Sequence, residues 1–390
     1  MKKLLFLLLA CTSLITVGCE KQKLASDSIN VGAIVELTGS IPAVGASSKN
    51  GMELAVNEIN AQGGILVNGK KMPVRLDVQD NGAQADQSAS AAQKLISQDN
   101  VVAILGPNAS LGAIPAAEIA EGAKTLLITP WSTNPKATRN SATGQPKHYV
   151  FRACFTDPFE GHVLASFARN NLKYQTAAVL YDVSSEAPTS QAAIFKQDFE
   201  KQGGKVVAFE TYSTNDKDFS AQLTKIKAAK PDVLFLPAYY NDVPLIAQQA
   251  KRLGLQVAFL GSDAWSSPEL LKLANGAVEG AYFANHYSPD AKTAATEKFV
   301  TDYQKAYGKT PDDVAALSYD AAKILFNAIA AAGTLDRQAI RDSMAKLPVY
   351  AGVTGDIKYS ADSGDPVKSA VIMQVKGNQF VWVANASAGL

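Results

Sequence analysis

From Ile29 onward the chain alternates short apolar runs with longer segments that carry a helical stripe. Ile29 to Val35 is apolar and β-rich, which predicts a strand. From about Asn50 to Gln62, Met52, Leu54, Ala55 and Ile59 share one helical face, and Gly63-Gly64 supplies the stop. Strands are predicted at 74–78, 101–105 and 126–129, with helices at 85–97 and 111–122 between them. The pattern then repeats. Strands are predicted at 177–181, 206–210, 233–236 and 257–260, with helices at 190–202, 219–229 and 242–253. Residues 293–347 read as almost purely helical, and 367–383 as two terminal strands. Alternation of this kind predicts an α/β chain with parallel sheets covered by helices on both faces.

Two such runs appear, divided near His148 to Arg152, and each is the size of one doubly wound lobe. The late helices and strands must pack on one lobe or the other, so the chain is expected to cross between lobes more than once. Hydrophobic residues make up 47% of the 390 and charged residues 19%, enough to build two cores and too apolar for wholesale disorder.

The first residues have a different character. Lys2-Lys3 precedes the apolar stretches Leu4–Leu9 and Leu14–Val17, too short and too interrupted for a membrane span. Thr16-Val17-Gly18-Cys19 resembles a bacterial lipobox, with Thr16 where Leu is usual. A signal peptide is therefore expected over 1–18, with Cys19 lipidated and 19–28 a polar tether. Simple cleavage of an ordinary signal is the alternative. The remaining body has 35 basic and 36 acidic residues, a net charge of −1, which argues against a nucleic-acid partner. With Cys19 carrying lipid, Cys154 has no partner, so no disulfide is expected and Cys154 reads as a small buried hydrophobe.

No phosphate loop and no dinucleotide fingerprint is present. His148, His162 and His286 are far apart and lack ligand-type spacing, so neither a metal nor another cofactor is expected. Asn108-Ala109-Ser110-Leu111-Gly112 stands where a nucleophile elbow would, but Asn replaces the first Gly, and the expectation is of no enzyme. A Ser at a strand-to-helix turn also offers a hydroxyl beside free N–H groups at a helix N-terminus, which suits a carboxylate. A second loop rich in hydroxyls, Thr129 to Pro135 with Trp131, Ser132 and Thr133, follows the next strand. Each loop alone reads equally as turn chemistry and helix capping; together, at the carboxyl ends of adjacent strands, they favour a site. In the second run, Tyr239 and Asp263 follow strands in the same way. Asp263 could pair with an ammonium, and Tyr239 could offer a hydroxyl or ring face. Donors on one lobe and an acid on the other suit a zwitterion.

The body resembles the bacterial solute-binding proteins of branched-chain amino-acid ABC uptake systems, the leucine/isoleucine/valine-binding type. The likeness is carried by Val31-Gly32-Ala33, Leu37-Thr38-Gly39, Asn57-Glu58-Ile59-Asn60, Leu105-Gly106-Pro107, Thr129 to Pro135, Phe151-Arg152 and Gly261-Ser262-Asp263. It implies the type I periplasmic binding protein fold, with lobe 1 at 29–149 plus 287–353, lobe 2 at 150–286 plus 354–385, and three hinge crossings. It implies an α-carboxylate held by Ser110 with Trp131, Ser132 and Thr133, and an ammonium held by Asp263 with Tyr239. It places the ligand side chain against Ile41 to Gly45, with Asp157 and Phe159 at the cleft edge. Many relatives have small residues where Trp131 stands, and a Tyr by the Asp-x-Ser-Ser loop, where here Asp182 to Ser185 runs on to Glu186-Ala187-Pro188 without one.

The expected function is binding of an amino acid, branched-chain or otherwise apolar, and closure on it for delivery to the membrane permease subunits. The expected setting is the periplasm or cell surface, as a monomer anchored by lipid. The alternative is an exported sensor for an amide or aromatic acid.

Overall fold

The computed structural model describes residues 27–360 and 363–386. The signal segment, Cys19 and nearly all of the tether lie outside them. The first part of the chain forms β1 (Ile29–Val35), α1 (Pro42–Ala61), β2 (Ile65–Val67), β3 (Lys70–Met72), β4 (Val74–Asp80), α2 (Ala85–Ser97) and β5 (Ala103–Leu105). It continues with α3 (Ser110–Gly122), β6 (Leu126–Thr129) and β7 (Val150–Arg152). Then come α4 (Asp157–Ser166), β8 (Thr176–Asp182), α5 (Glu186–Lys201), β9 (Lys205–Tyr212), α6 (Ser220–Ala229) and β10 (Val233–Leu236). α7 (Val243–Arg252), β11 (Ala258–Gly261), α8 (Pro268–Ala274) and β12 (Tyr282–Asn285) complete that run. Three helices follow, α9 (Ala294–Tyr307), α10 (Asp313–Ala332) and α11 (Arg337–Met344). The last elements are β13 (Tyr350–Gly352), β14 (Gly355–Ser360), β15 (Ser363–Val367), β16 (Ala370–Lys376) and β17 (Gln379–Ala386).

The strands build two large sheets. One has the order β4-β1-β5-β6-β7 and is parallel throughout. The other has the order β17-β16-β12-β11-β10-β8-β9, parallel except at β16 and β17. Both faces of the first sheet are covered, so β5 reads as a continuous apolar run with Ala103, Ile104 and Leu105 wholly buried. Ile104 packs with Ile34, Leu127 and Val150 on one face, while Ala103 and Leu105 face the other. The chain leaves the first sheet after Arg152 and returns after β12, where α10 packs on α1. It then passes through the small sheet β13-β14-β15 and ends in the second large sheet.

The expected start of the second lobe at 150 needs correction. Val150 pairs with Leu127 and Phe151 with Ile128, so this segment is the edge strand of the first sheet. The polar loop before it disguised its attachment. α1 also begins eight residues before the expected Asn50. Pro42 opens it, and Gly45, Ser47 and Ser48 keep its first turns slim enough to sit against other backbone. A Cβ on Gly45 would lie 2.3 Å from the Glu36 carbonyl, and one on Gly51 would lie 2.1 Å from the Ala315 oxygen of α10. Gly51→Ala is therefore expected to destabilise the fold by about 1–3 kcal/mol, because overpacking outweighs the gain in helix propensity. A lower urea midpoint at unchanged slope would show it.

Candidate ligand-binding site

The first half of the site hangs on the carboxyl ends of β1, β5 and β6. Glu36, fully buried just past β1, accepts hydrogen bonds from Asn108 N (3.1 Å), Asn108 Nδ2 (2.7 Å) and Ala109 N (3.2 Å). Burial pushes its carboxyl upward and these bonds oppose the shift. Glu36 thus clamps the turn that delivers Ser110 to the first position of α3. Ser110 Oγ lies 2.9 Å from Ser132 Oγ and accepts from Asn134 N at 3.3 Å. The two loops are tied further by Thr129 Oγ1, which donates to Pro107 O at 2.6 Å. Beneath them Arg152, wholly buried, donates to Ser132 O and to Asn134 O and pairs with Asp365 at 2.7 Å. Trp131 donates from Nε1 to Asp313 Oδ2 at 3.0 Å, which fixes its ring.

The second half hangs on β10 and β11. Asp263 is 3% exposed. Its Oδ2 lies 3.0 Å from His286 Nε2, and its Oδ1 accepts from Gln191 Nε2 at 3.3 Å. Its backbone N–H donates to Glu160 Oε1 at 2.7 Å. Burial, followed by the charge of Asp263, drives the Glu160 carboxyl well up. Burial pushes His286 down, toward the neutral imidazole. Tyr239 follows β10, and its ring centroid lies 6.2 Å from that of Trp131 across the cleft.

Ser110, Trp131, Thr133, Tyr239 and Asp263 surround one narrow gap of about 10 Å³. Ser132 stands behind Ser110. Ile41 lies on the wall of an adjoining cavity of about 450 Å³, which Glu36, Leu111, Asp182 and Tyr239 also line. Asp157 lies behind Thr133, to whose carbonyl its N–H donates at 2.9 Å. Its carboxylate is buried, with no cationic side chain among the described residues within hydrogen-bond distance and the Thr133 and Ser190 hydroxyls as its nearest donors. Burial pushes that carboxyl up to about 7, against the pull of the Thr133 and Ser190 hydroxyls. Phe159 is not brought to the gap; its ring packs 5.5 Å from that of Phe155 in the core beside the second sheet.

The cleft is shut. Asn134 Nδ2 donates to Glu186 O at 3.1 Å, Lys136 pairs with Glu186 at 2.8 Å, and Ala43 N donates to Tyr240 Oη at 3.3 Å. Neither neighbour of the Ser110 hydroxyl, Ser132 Oγ or Asn134 N, is a base that could activate it. Cys154 is buried and free, with its thiol pushed up to about 12 by burial. The sequence reading missed Glu36, Glu160, Gln191 and Asp313. Only Glu36 left a signal, a lone acid directly after an apolar strand.

The likeness to known proteins covers the whole of this arrangement. A Leu/Ile/Val-binding protein homolog from Brucella abortus is 31% identical over 96% of each chain. The leucine binding protein LivK of Thermotoga maritima superposes with a TM-score of 0.86 at 33% identity, covering 93% of this chain and 99% of that one. The transporter substrate binding protein LivJ of Streptococcus pneumoniae, solved in complex with isoleucine, gives 0.83 at 30% identity over 91% and 99%. The sequence model of periplasmic binding proteins matches residues 28–379, and with the two sheets and the site between them this chain belongs to the type I periplasmic binding protein family.

Proposed function

We propose that the protein binds an α-amino acid, branched-chain or otherwise apolar, between the two sheets and presents it to the permease of an ABC importer. The observation that carries this reading is the facing of two unlike half-sites across one gap. Ser110 and Thr133, beside the first N–H groups of α3, suit an α-carboxylate. Asp263, held in place by His286, Gln191 and its own backbone bond, suits an α-ammonium. Trp131, fixed by Asp313, walls off one side, so the side chain leaves toward the cavity where Ile41 and Leu111 offer apolar contact. The same relatives that carry the family assignment bind leucine or isoleucine by their names. Anchoring through Cys19 would keep a monomeric body beside the membrane that holds the permease.

Ligand contact with both halves favours the closed form over any open one, so binding shifts the population toward closure. A screen of thermal midpoints against the twenty amino acids, aromatic acids and amides tests the ligand class. Ligand at a hundred times its Kd adds about 2.7 kcal/mol. Hits confined to amino acids, with a smaller radius of gyration in solution scattering, are expected. Hits on acids that lack an amine would overturn the amino-acid reading, and an unchanged radius would overturn the closure.

A further inference from the structure

Trp131 and Tyr239 come from opposite halves of the molecule and meet at the gap that Asp263 also lines. Their ring centroids lie 6.2 Å apart and their planes are tilted by 44°, so the rings form an open V rather than a stack. Both are anchored by their polar ends. Trp131 Nε1 donates to Asp313 Oδ2, and the Tyr239 hydroxyl is met by Ser185. What the two rings offer the gap is therefore π surface and ring carbon. A cation at the mouth of the V can lie within about 6 Å of both centroids, the range over which a ring face attracts it, and Trp is the strongest such face.

The rest of this wall narrows the choice of cation. Asp263 is the one charged side chain among the described residues that line the gap, and each of its oxygens already faces a donor, from Gln191 or His286. Near it stand Ala187, Pro188 and Ala264, which bring no polar side-chain atom. A primary α-ammonium carries three N–H donors into this setting. Any of them that meets ring carbon or a methyl group in place of an acceptor bears the full penalty of a buried, unpaired donor. An N-methylated ammonium keeps the charge that Asp263 requires, spreads it over C–H groups that suit a ring face, and brings fewer N–H donors or none. We propose that the cleft selects an N-methylated α-amino acid, with its charged nitrogen held by Asp263 and seated between Trp131 and Tyr239. The inference rests on the amino-acid reading of the cleft and deepens it: Trp131 and Tyr239 set the state of the nitrogen, as Ile41 and Leu111 bound the side chain. Trp131 follows β6 and Tyr239 follows β10, so the cage is complete only when the two halves are together. The methyl groups thus add to the preference of the ligand for the shut form.

The test is a calorimetric titration of the protein with leucine and valine and with their N-methyl, N,N-dimethyl and N,N,N-trimethyl forms. Affinity is expected to rise with methylation, and the better of the two trimethyl compounds should bind at least about tenfold more tightly than its parent. Trp131→Leu and Tyr239→Leu are titrated with the same pair, and the ratio of trimethyl to parent affinity is read within each variant, so a general loss of binding does not obscure it. That ratio should fall toward one in both, while Trp131→Phe, which keeps a ring, should retain part of it. The wild-type series decides the question even where a variant does not fold. Methylation that weakens binding in the wild type would overturn the inference alone, because main-chain carbonyls would then be taking up the N–H groups of a primary ammonium. A preference for methyl groups unchanged in Trp131→Leu and Tyr239→Leu would overturn the role of the two rings. If no compound of the series binds, and none of the twenty amino acids does, the amino-acid reading itself fails and this inference falls with it.

Discussion

Asp263→Asn should weaken amino-acid binding by more than about a hundredfold while leaving a folded protein. The reasoning starts from the shape of the pocket. Asn matches Asp in size, and the backbone bond from residue 263 to Glu160 does not depend on its side chain. The charge is lost, however, and removing one member of a buried ion pair costs about 3–5 kcal/mol. That is a factor of at least about a hundred in Kd. A second consequence concerns the unliganded protein. Both oxygens of Asp263 face donors, from Gln191 and His286. An Asn amide must set its own N–H₂ against one of them. The imidazole can relieve this by moving its proton to Nδ1, so a modest stability loss of about 1–2 kcal/mol is expected rather than unfolding. Calorimetric titration beside thermal melts separates the two effects. A loss of affinity below tenfold in a variant that melts normally would place the ammonium on a different partner.

The repeating order of strand and helix was legible in the chain because parallel strands buried on both faces are written as short apolar runs. The strands at Leu126–Thr129 and Val233–Leu236 and the helix at Ala85–Ser97 fall where periodicity predicts. The half-sites were legible for a related reason: in such a sheet the loops at the carboxyl ends of neighbouring strands must converge, which brings Ser110 toward Ser132 and Tyr239 toward Asp263. What stayed hidden depends on long-range partners. The start of α1 is written in Gly and Ser, which have no hydrophobic signal until Glu36 and α10 are placed against them. The strands β13 to β15 are short and mostly half-exposed, so their alternation is weak. The direction of the Trp131 ring has no local signal, because it follows from Asp313, 182 residues away. Phe159 packs toward Phe155 because a residue two positions from Asp157 does not share its helical face.

The second large effect belongs to Asp157, and its sign depends on pH. Its carboxyl is fully buried, the Thr133 and Ser190 hydroxyls oppose the cost of charging it only in part, and burial pushes it up to about 7 from the ordinary 3.8. Between those values the folded protein holds a proton that the unfolded chain has released, so stability falls as pH rises through this window. Above about 7 the folded protein carries the buried charge and the whole penalty. Asp157→Asn removes it. The variant should therefore be more stable than the wild type at pH 8, by up to about 4 kcal/mol, and should show no such gain at pH 3. A group kept at that cost needs a compensating partner. The charge of Asp263 raises Asp157, so the two lie within electrostatic reach, and an ammonium bound at Asp263 would offset both. The substitution should accordingly weaken amino-acid binding while it stabilises the fold. In the wild type, affinity should fall as pH is lowered from 8 to 5 and Asp157 takes up its proton; in the variant that slope should flatten. Urea unfolding at pH 3, 6 and 8, paired with calorimetric titration over the same range, reads both effects. A variant no more stable at pH 8 would mean that Asp157 is already compensated in the unliganded protein. A pH slope identical to that of the wild type would remove Asp157 from the ligand's surroundings.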